Sequence, residues 1–306
     1  MSKTYSAQLR LLLSMFLFGT IGLFVRHIPL PSGVIALVRG AVGMLFLLVL
    51  AVCQKKRPSL TAIRQNWPWL CLSGAFLGFN WILLFEAYRH TTVATATLCY
   101  YMAPVLVILI SPLLLKERLT SRRLVCVAVA LLGMVGVSGV TEGGLPGIDE
   151  AAGILWGLGA AVLYAGVMLT NQKLRDISAN DRTITQLGIA AALLLPYCLL
   201  AEQPDLAALN GPALLLLLTV GVVHTGIAYW LYFGSMQGLK AHTVAIFSYL
   251  DPVVAVLLSV TVLREPLGIS GFVGAVLILG AALVSELPER KKSPTADSDQ
   301  GGSLPC

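Results

Sequence analysis

Apolar residues run along this chain of 306 residues in long stretches, broken by short clusters of charged residues, proline and glycine. A helix needs about 20 apolar residues, at ~1.5 Å rise each, to cross the hydrocarbon core of a bilayer. Ten stretches come close to or reach that length: Leu9–Val25, Ser32–Val52, Trp67–Tyr88, Thr92–Leu115, Arg122–Val140, Ala152–Thr170, Thr183–Leu200, Pro212–Gly234, Thr243–Leu263 and Ile269–Ser285. They are continuously apolar and lack the period-two alternation of a barrel strand. Backbone groups in lipid must be satisfied within the segment, so the pattern predicts ten transmembrane helices.

The pattern is also written twice. Tyr101-Met102-Ala103-Pro104, with Glu117 thirteen residues beyond the proline, recurs as Tyr249-Leu250-Asp251-Pro252 with Glu265 at the same distance. The offset of 148 residues also pairs Gly78 with Gly226 and Phe85 with Phe233. This divides the chain into residues 1–140 and 150–286, each with five helices, joined by a Gly/Pro/acid linker over 141–147. Residues 287–306 form a polar tail expected to be disordered. Five is odd, so the second copy enters the membrane from the opposite side: two inverted repeats, the build of many secondary transporters.

Composition agrees with a bilayer. The chain is 57% hydrophobic and 12% charged, against roughly 25% charged in soluble domains. The net charge of +6 does not form a nucleic-acid patch, because the basic residues follow loop parity. With the N-terminus inside, 17 of the 21 basic residues are cytoplasmic, Arg26, Arg89 and Arg264 are external, and Arg39 lies within a span. Both termini are therefore expected in the cytoplasm. The first apolar run follows Lys3 and Arg10 as a signal peptide would, but no small-residue cleavage site follows it, and it reads as a retained first helix. The six cysteines show no CxxC spacing and read as packing residues. Small residues spaced by four, at Gly74/Gly78 and Gly153/Gly157/Ala161/Ala165, and more loosely at Gly133, Gly136 and Gly139, suit close helix contacts.

The polar exceptions inside these spans carry the candidate chemistry. Pro104 and Pro252 stand near the middle of the fourth and ninth spans, where each removes a backbone hydrogen bond; two at equivalent repeat positions point to a central break lining a cavity. Asp251 is about nine residues into its span, or ~13 Å deep, where an unpaired Asp costs on the order of 3 kcal/mol. It is either a satisfied structural carboxyl or a proton-coupling or substrate-amine site. Arg39 cannot lose its proton and must face an anion, carbonyls or water: either a substrate carboxylate or a structural pairing, for which Glu86 is the obvious partner. His224 is either a core hydrogen-bonding group or a proton relay. Tyr100, Tyr101, Tyr249 and Asn80 would give a moderately polar aromatic cavity suited to a small organic solute. No phosphate loop, HExxH, metal-ligand spacing or GxSxG elbow occurs, so neither a metal nor a cofactor is expected.

Taken together, Arg39, the stretch Phe85-Glu86-Ala87-Tyr88-Arg89-His90-Thr91-Thr92-Val93-Ala94, the segment Pro104…Lys116-Glu117-Arg118-Leu119 and its echo Pro252…Arg264-Glu265-Pro266-Leu267 resemble the EamA-type transporters of the drug/metabolite transporter superfamily. The resemblance covers nearly all of residues 8–286. It implies a secondary transporter, not an enzyme, with a central cavity open alternately to each side and, in many members, export of amino acids or related metabolites. The Leu-x-Glu-x-Leu turns match the family pattern and read as structural, through ion pairing or helix capping. Asp251 departs from it, since an uncharged residue is expected beside Pro252.

The expected partners are thus a small solute, the lipid bilayer and protons as a coupling ion, in a bacterial inner membrane, with no nucleic acid; oligomeric state is open. The competing readings are a membrane-embedded lipid-modifying enzyme, which lacks carboxylate pairs with Mg²⁺ spacing, and a non-transporting membrane scaffold.

Overall fold

The computed structural model describes residues 3–56, 58–115, 120–139, 146–202, 209–236, 239 and 241–287. The Lys116-Glu117-Arg118-Leu119 turn, most of the 141–147 linker and all but the first residue of the 287–306 tail lie outside them. Among the described residues every regular element is helical. Seven of the described segments are long and apolar enough to cross a membrane, and Ile246–Thr261 and Ile269–Ser285 are shorter apolar helices. Leu132, Leu200, Leu215 and Phe272 project from the bundle and are at least 60% exposed, an apolar exterior that belongs in hydrocarbon rather than water.

The first half contains α1 (Lys3–Val25), α2 (Ser32–Cys53), α3 (Leu60–Gln65), α4 (Trp67–His90), α5 (Val93–Tyr100), α6 (Ala103–Leu115) and α7 (Ser121–Val137). The second contains α8 (Ile148–Asn171), α9 (Ala179–Tyr197) with a π-helical end over Cys198–Glu202, α10 (Gly211–Gly221), a π-helical turn over Val222–Ile227, α11 (Ala228–Met236), α12 (Ala241–Ser248), α13 (Leu250–Thr261) and α14 (Ile269–Glu286). The short α3 was not legible as a span. It forms because Ser59 accepts from the Ala62 N–H, capping the first turn, while Ala62 is buried.

Two pairs of helix starts keep the 148-residue offset: α12 starts 148 residues after α5, and α14 starts 148 residues after α7. Packing follows the same exchange. The contact of α4 with α8 is matched by that of α11 with α1, α6 on α8 by α13 on α1, and α4 on α9 by α10 on α2; α7 packs on α14, its own equivalent. Equivalent helices run antiparallel. Gly133 faces Gly274 and Ile278 while Gly136 faces Ser270, and Gly33 meets Glu202 while Gly40 meets Leu187.

Each proline stands where a helix restarts. Pro104 and Pro252 lie in the first turns of α6 and α13, where a missing N–H carries no penalty. The preceding chain tightens into three-residue turns, with Met102 N–H donating to Cys99 O and Tyr249 N–H to Ile246 O.

Small residues set the helix spacing. A Cβ at Gly157 would lie 2.8 Å from Cys99 Cβ, one at Gly74 2.8 Å from Ile189 Cβ, and one at Gly133 2.8 Å from the Gly274 carbonyl. We therefore expect Gly133→Val to cost about 1–3 kcal/mol by overpacking, read as a lower melting temperature in detergent. Gly280, with open space around its Cβ position, is the control: Gly280→Ala should be stabilising by about 0.5–1 kcal/mol through helix propensity alone.

Candidate functional site

The two helix breaks line a common cavity of about 380 Å³, to which α1, α2, α4, α8 and α11 also contribute. Its volume is at the lower end of the roughly 300–1,000 Å³ usual for small-molecule sites. Seven of the chain's nine tyrosines line it: Tyr88, Tyr100, Tyr101, Tyr164, Tyr229, Tyr232 and Tyr249. The walls are therefore flat and aromatic, with hydroxyls as their polar element. Tyr100 lies 5.0 Å from Tyr164 between ring centroids, and Tyr101 lies 6.3 Å from Tyr249 across the two breaks.

Among the described residues, two charged side chains reach this cavity. Arg39 is 5% exposed. Its guanidinium carbon lies 4.1 Å from the Trp81 ring centroid, a cation–π contact, and its Nε donates to Thr225 Oγ1 at 2.9 Å. No carboxylate lies within ion-pair distance of it among the described residues, and both terminal nitrogens lack a protein partner there. Asp251, in the first turn of α13, accepts from the Tyr101 hydroxyl at 2.7 Å. Its second oxygen has no hydrogen-bond partner among the described residues. A helix N-terminus favours the negative charge.

The structure brings Arg39, Tyr100, Tyr101, Tyr249, Asp251 and Pro104 to one cavity and places four other candidates elsewhere. Pro252 is buried beside it. Asn80 is fully buried and donates to Ala160 O at 2.6 Å, tying α4 to α8. Glu86 does not pair with Arg39: it accepts from Ser32 Oγ at 2.7 Å and lies 3.6 Å from Arg89 and 3.4 Å from His90. His224 is 1% exposed, between Thr20 Oγ1 at 2.9 Å and Thr219 O at 3.3 Å. A carbonyl only accepts, so Nδ1 carries the hydrogen toward Thr219, while Nε2 faces the Thr20 hydroxyl, which also lies 2.8 Å from Leu17 O.

The bundle end where α1 finishes is tied together by carboxylates. Glu265 pairs with Arg26 at 2.7 Å, accepts from Val93 N–H at 2.8 Å and from the Ser259 hydroxyl, while Ala94 N–H donates to Ser259 Oγ. It thus caps α5 from the other half. Glu202 does the same for α2, accepting from Gly33 and Val34 N–H at 2.9 and 3.0 Å. The left-handed backbone at Arg264, φ 53°, turns the chain back so that Glu265 faces α5.

Comparison with known proteins gives this arrangement a setting. A family model described as the EamA-like transporter family matches twice, over residues 6–139 and 151–286. The chain belongs to the EamA-like transporter family. Among its relatives are an uncharacterized transporter, YxxF, of Bacillus subtilis, 29% identical over 95% of this chain and 93% of that protein, and the aromatic amino acid exporter YddG of Ancylobacter novellus, 26% identical over 76% of this chain and 80% of that one. A crystal structure 23% identical in sequence superposes with a TM-score of 0.64, covering 92% of this chain and 97% of its own, which shows a shared fold. The EamA-like chain is accordingly a multi-pass membrane protein and a transporter.

Sequence reasoning overlooked three parts of this transporter. Tyr164 had a faint signal, as the aromatic residue next to the Gly/Ala series on α8. Thr225 and Glu202 had none, since a hydroxyl in an apolar run and an acid before a loop are both ordinary. We expect Tyr101→Phe, which strips Asp251 of its donor, to weaken solute binding about tenfold, as loss of a buried partner costs ~1–3 kcal/mol. Glu86→Gln should leave binding within about twofold, both read by titration of the purified protein.

Proposed function

We propose that this chain is a secondary transporter exporting a small carboxylated metabolite, with aromatic amino acids as the leading class, by alternating access. The observation that carries the reading is that Arg39 and Asp251 reach the same tyrosine-lined cavity, and that among the described residues the terminal nitrogens of the one and one oxygen of the other have no partner. A planar guanidinium fork matches a carboxylate; a carboxylate matches an ammonium; tyrosine walls suit an aromatic side chain. The relative named as an aromatic amino acid exporter supports that class.

In this reading the chain forms ten spans in two inverted five-helix repeats, with both termini cytoplasmic, in a bacterial inner membrane. Support comes from the antiparallel equivalent helices, the exchange symmetry of packing and the basic residues on alternate loops. The Glu265 and Glu202 caps then lie at the outer face and close it, and opening outward requires them to part. Asp251 is the coupling group, taking up a proton when the ammonium leaves.

Proteoliposomes test this. Wild-type transporter should move L-tryptophan, accelerated several-fold by an imposed pH gradient, whereas Asp251→Asn should transport at a rate indifferent to the gradient. An Asp251→Asn variant that keeps the gradient response would remove the coupling role, and wild-type vesicles that move no aromatic amino acid would remove the substrate class.

A further inference from the structure

Arg39 is held by a device the proposed transport mechanism does not yet use. α10 does not continue as an α-helix into α11 but widens into a π-helical turn over Val222–Ile227, and such turns occur often at functional sites. Thr225 lies within it, fully buried. Arginine only donates, so the 2.9 Å contact from Arg39 Nε fixes Thr225 Oγ1 as acceptor. The single hydroxyl hydrogen must therefore go elsewhere, and it goes to Val220 O at 3.0 Å, five residues back. The result is a directed chain, from Nε–H to hydroxyl to backbone carbonyl, with no freedom of sense.

The surroundings leave this contact little room to move. Gly43, one helical turn after Arg39 on α2, lies against Thr225 so closely that a Cβ there would collide with the threonine side chain. The neighbouring His224 fastens the same turn to α1 through Thr20, and Trp81 covers one face of the guanidinium. With Nε engaged and one face covered, the two terminal nitrogens are the part of Arg39 left without a partner among the described residues, and Arg39 lines the cavity.

We propose that Thr225, presented by the π-helical turn, is a positioning residue: it sets the orientation of Arg39 so that its terminal nitrogens form a two-pronged carboxylate site, and so determines selectivity for carboxylated over decarboxylated solutes. The inference rests on the reading of Arg39 as the carboxylate-binding group. Thr225 does not touch the solute; it acts through Arg39. Threonine suits the position because its hydroxyl both accepts and donates, while its methyl group packs toward Gly43.

The test compares binding of L-tryptophan and tryptamine, which lacks the carboxylate, to purified full-length protein. Thr225→Val keeps the shape and removes the acceptor; we expect it to weaken tryptophan about tenfold and leave tryptamine within about twofold, so that the selectivity ratio falls. Thr225→Ser, which restores the hydroxyl, should recover most of the ratio. If Thr225→Val does not fold, Thr225→Ala is read by the same criteria. Equal weakening of both ligands, or of neither, while Arg39→Gln abolishes the selectivity, overturns the positioning role and leaves the carboxylate reading standing. A wild type without preference for tryptophan, or an Arg39→Gln variant that keeps it, removes that reading and this inference with it.

Discussion

A guanidinium carried into hydrocarbon cannot shed its charge, and the centre of this bundle is arranged around that constraint. Arg39 enters from α2 with no carboxylate to neutralise it among the described residues. What holds it is a hydroxyl from a widened helical turn and the face of an indole. Neither cancels a full charge, so the remaining edge requires a polar space, and the cavity supplies one. Asp251, across the same space, is subject to the complementary requirement and meets it with a tyrosine hydroxyl and a helix start. A pair of opposite charges that share a cavity without touching costs less than the same two charges buried far apart, and leaves both able to engage a third party.

The end of the bundle where α1 finishes obeys a different rule. Helix starts expose N–H groups that must be satisfied, and here α2 and α5 of the first half receive carboxylates from the second, Glu202 and Glu265. The tie between halves is thus made of the same groups that finish the helices. Arg26 reinforces it by donating to the Tyr88 and Thr91 carbonyls, which end α4.

Much of this was legible in the sequence because lipid makes polarity conspicuous. The doubled Tyr-x-x-Pro motif marked where the helices restart, and Glu265 in its turn read as a structural residue, through ion pairing or helix capping. Arg39 and Asp251 stood out as charges within apolar runs. What the sequence did not reveal was which way each side chain faces. Asn80, Glu86 and His224 are as polar as the residues in the cavity, yet each successive residue rotates by about 100° around an α-helix, and that rotation sends Asn80 to α8. Thr225 was hidden further, because a π-helical turn shifts the face that an α-helical count would assign. α3, six residues long, fell below the length that a hydropathy pattern resolves.

Gly133 and Gly274 stand backbone to backbone, each turned toward the other's carbonyl, at a seam where a helix meets its own duplicate. Neither copy has slack to receive even a methyl group. A side chain on either residue would have to prise α7 from α14, so the separation of these two helices is set by bare backbone.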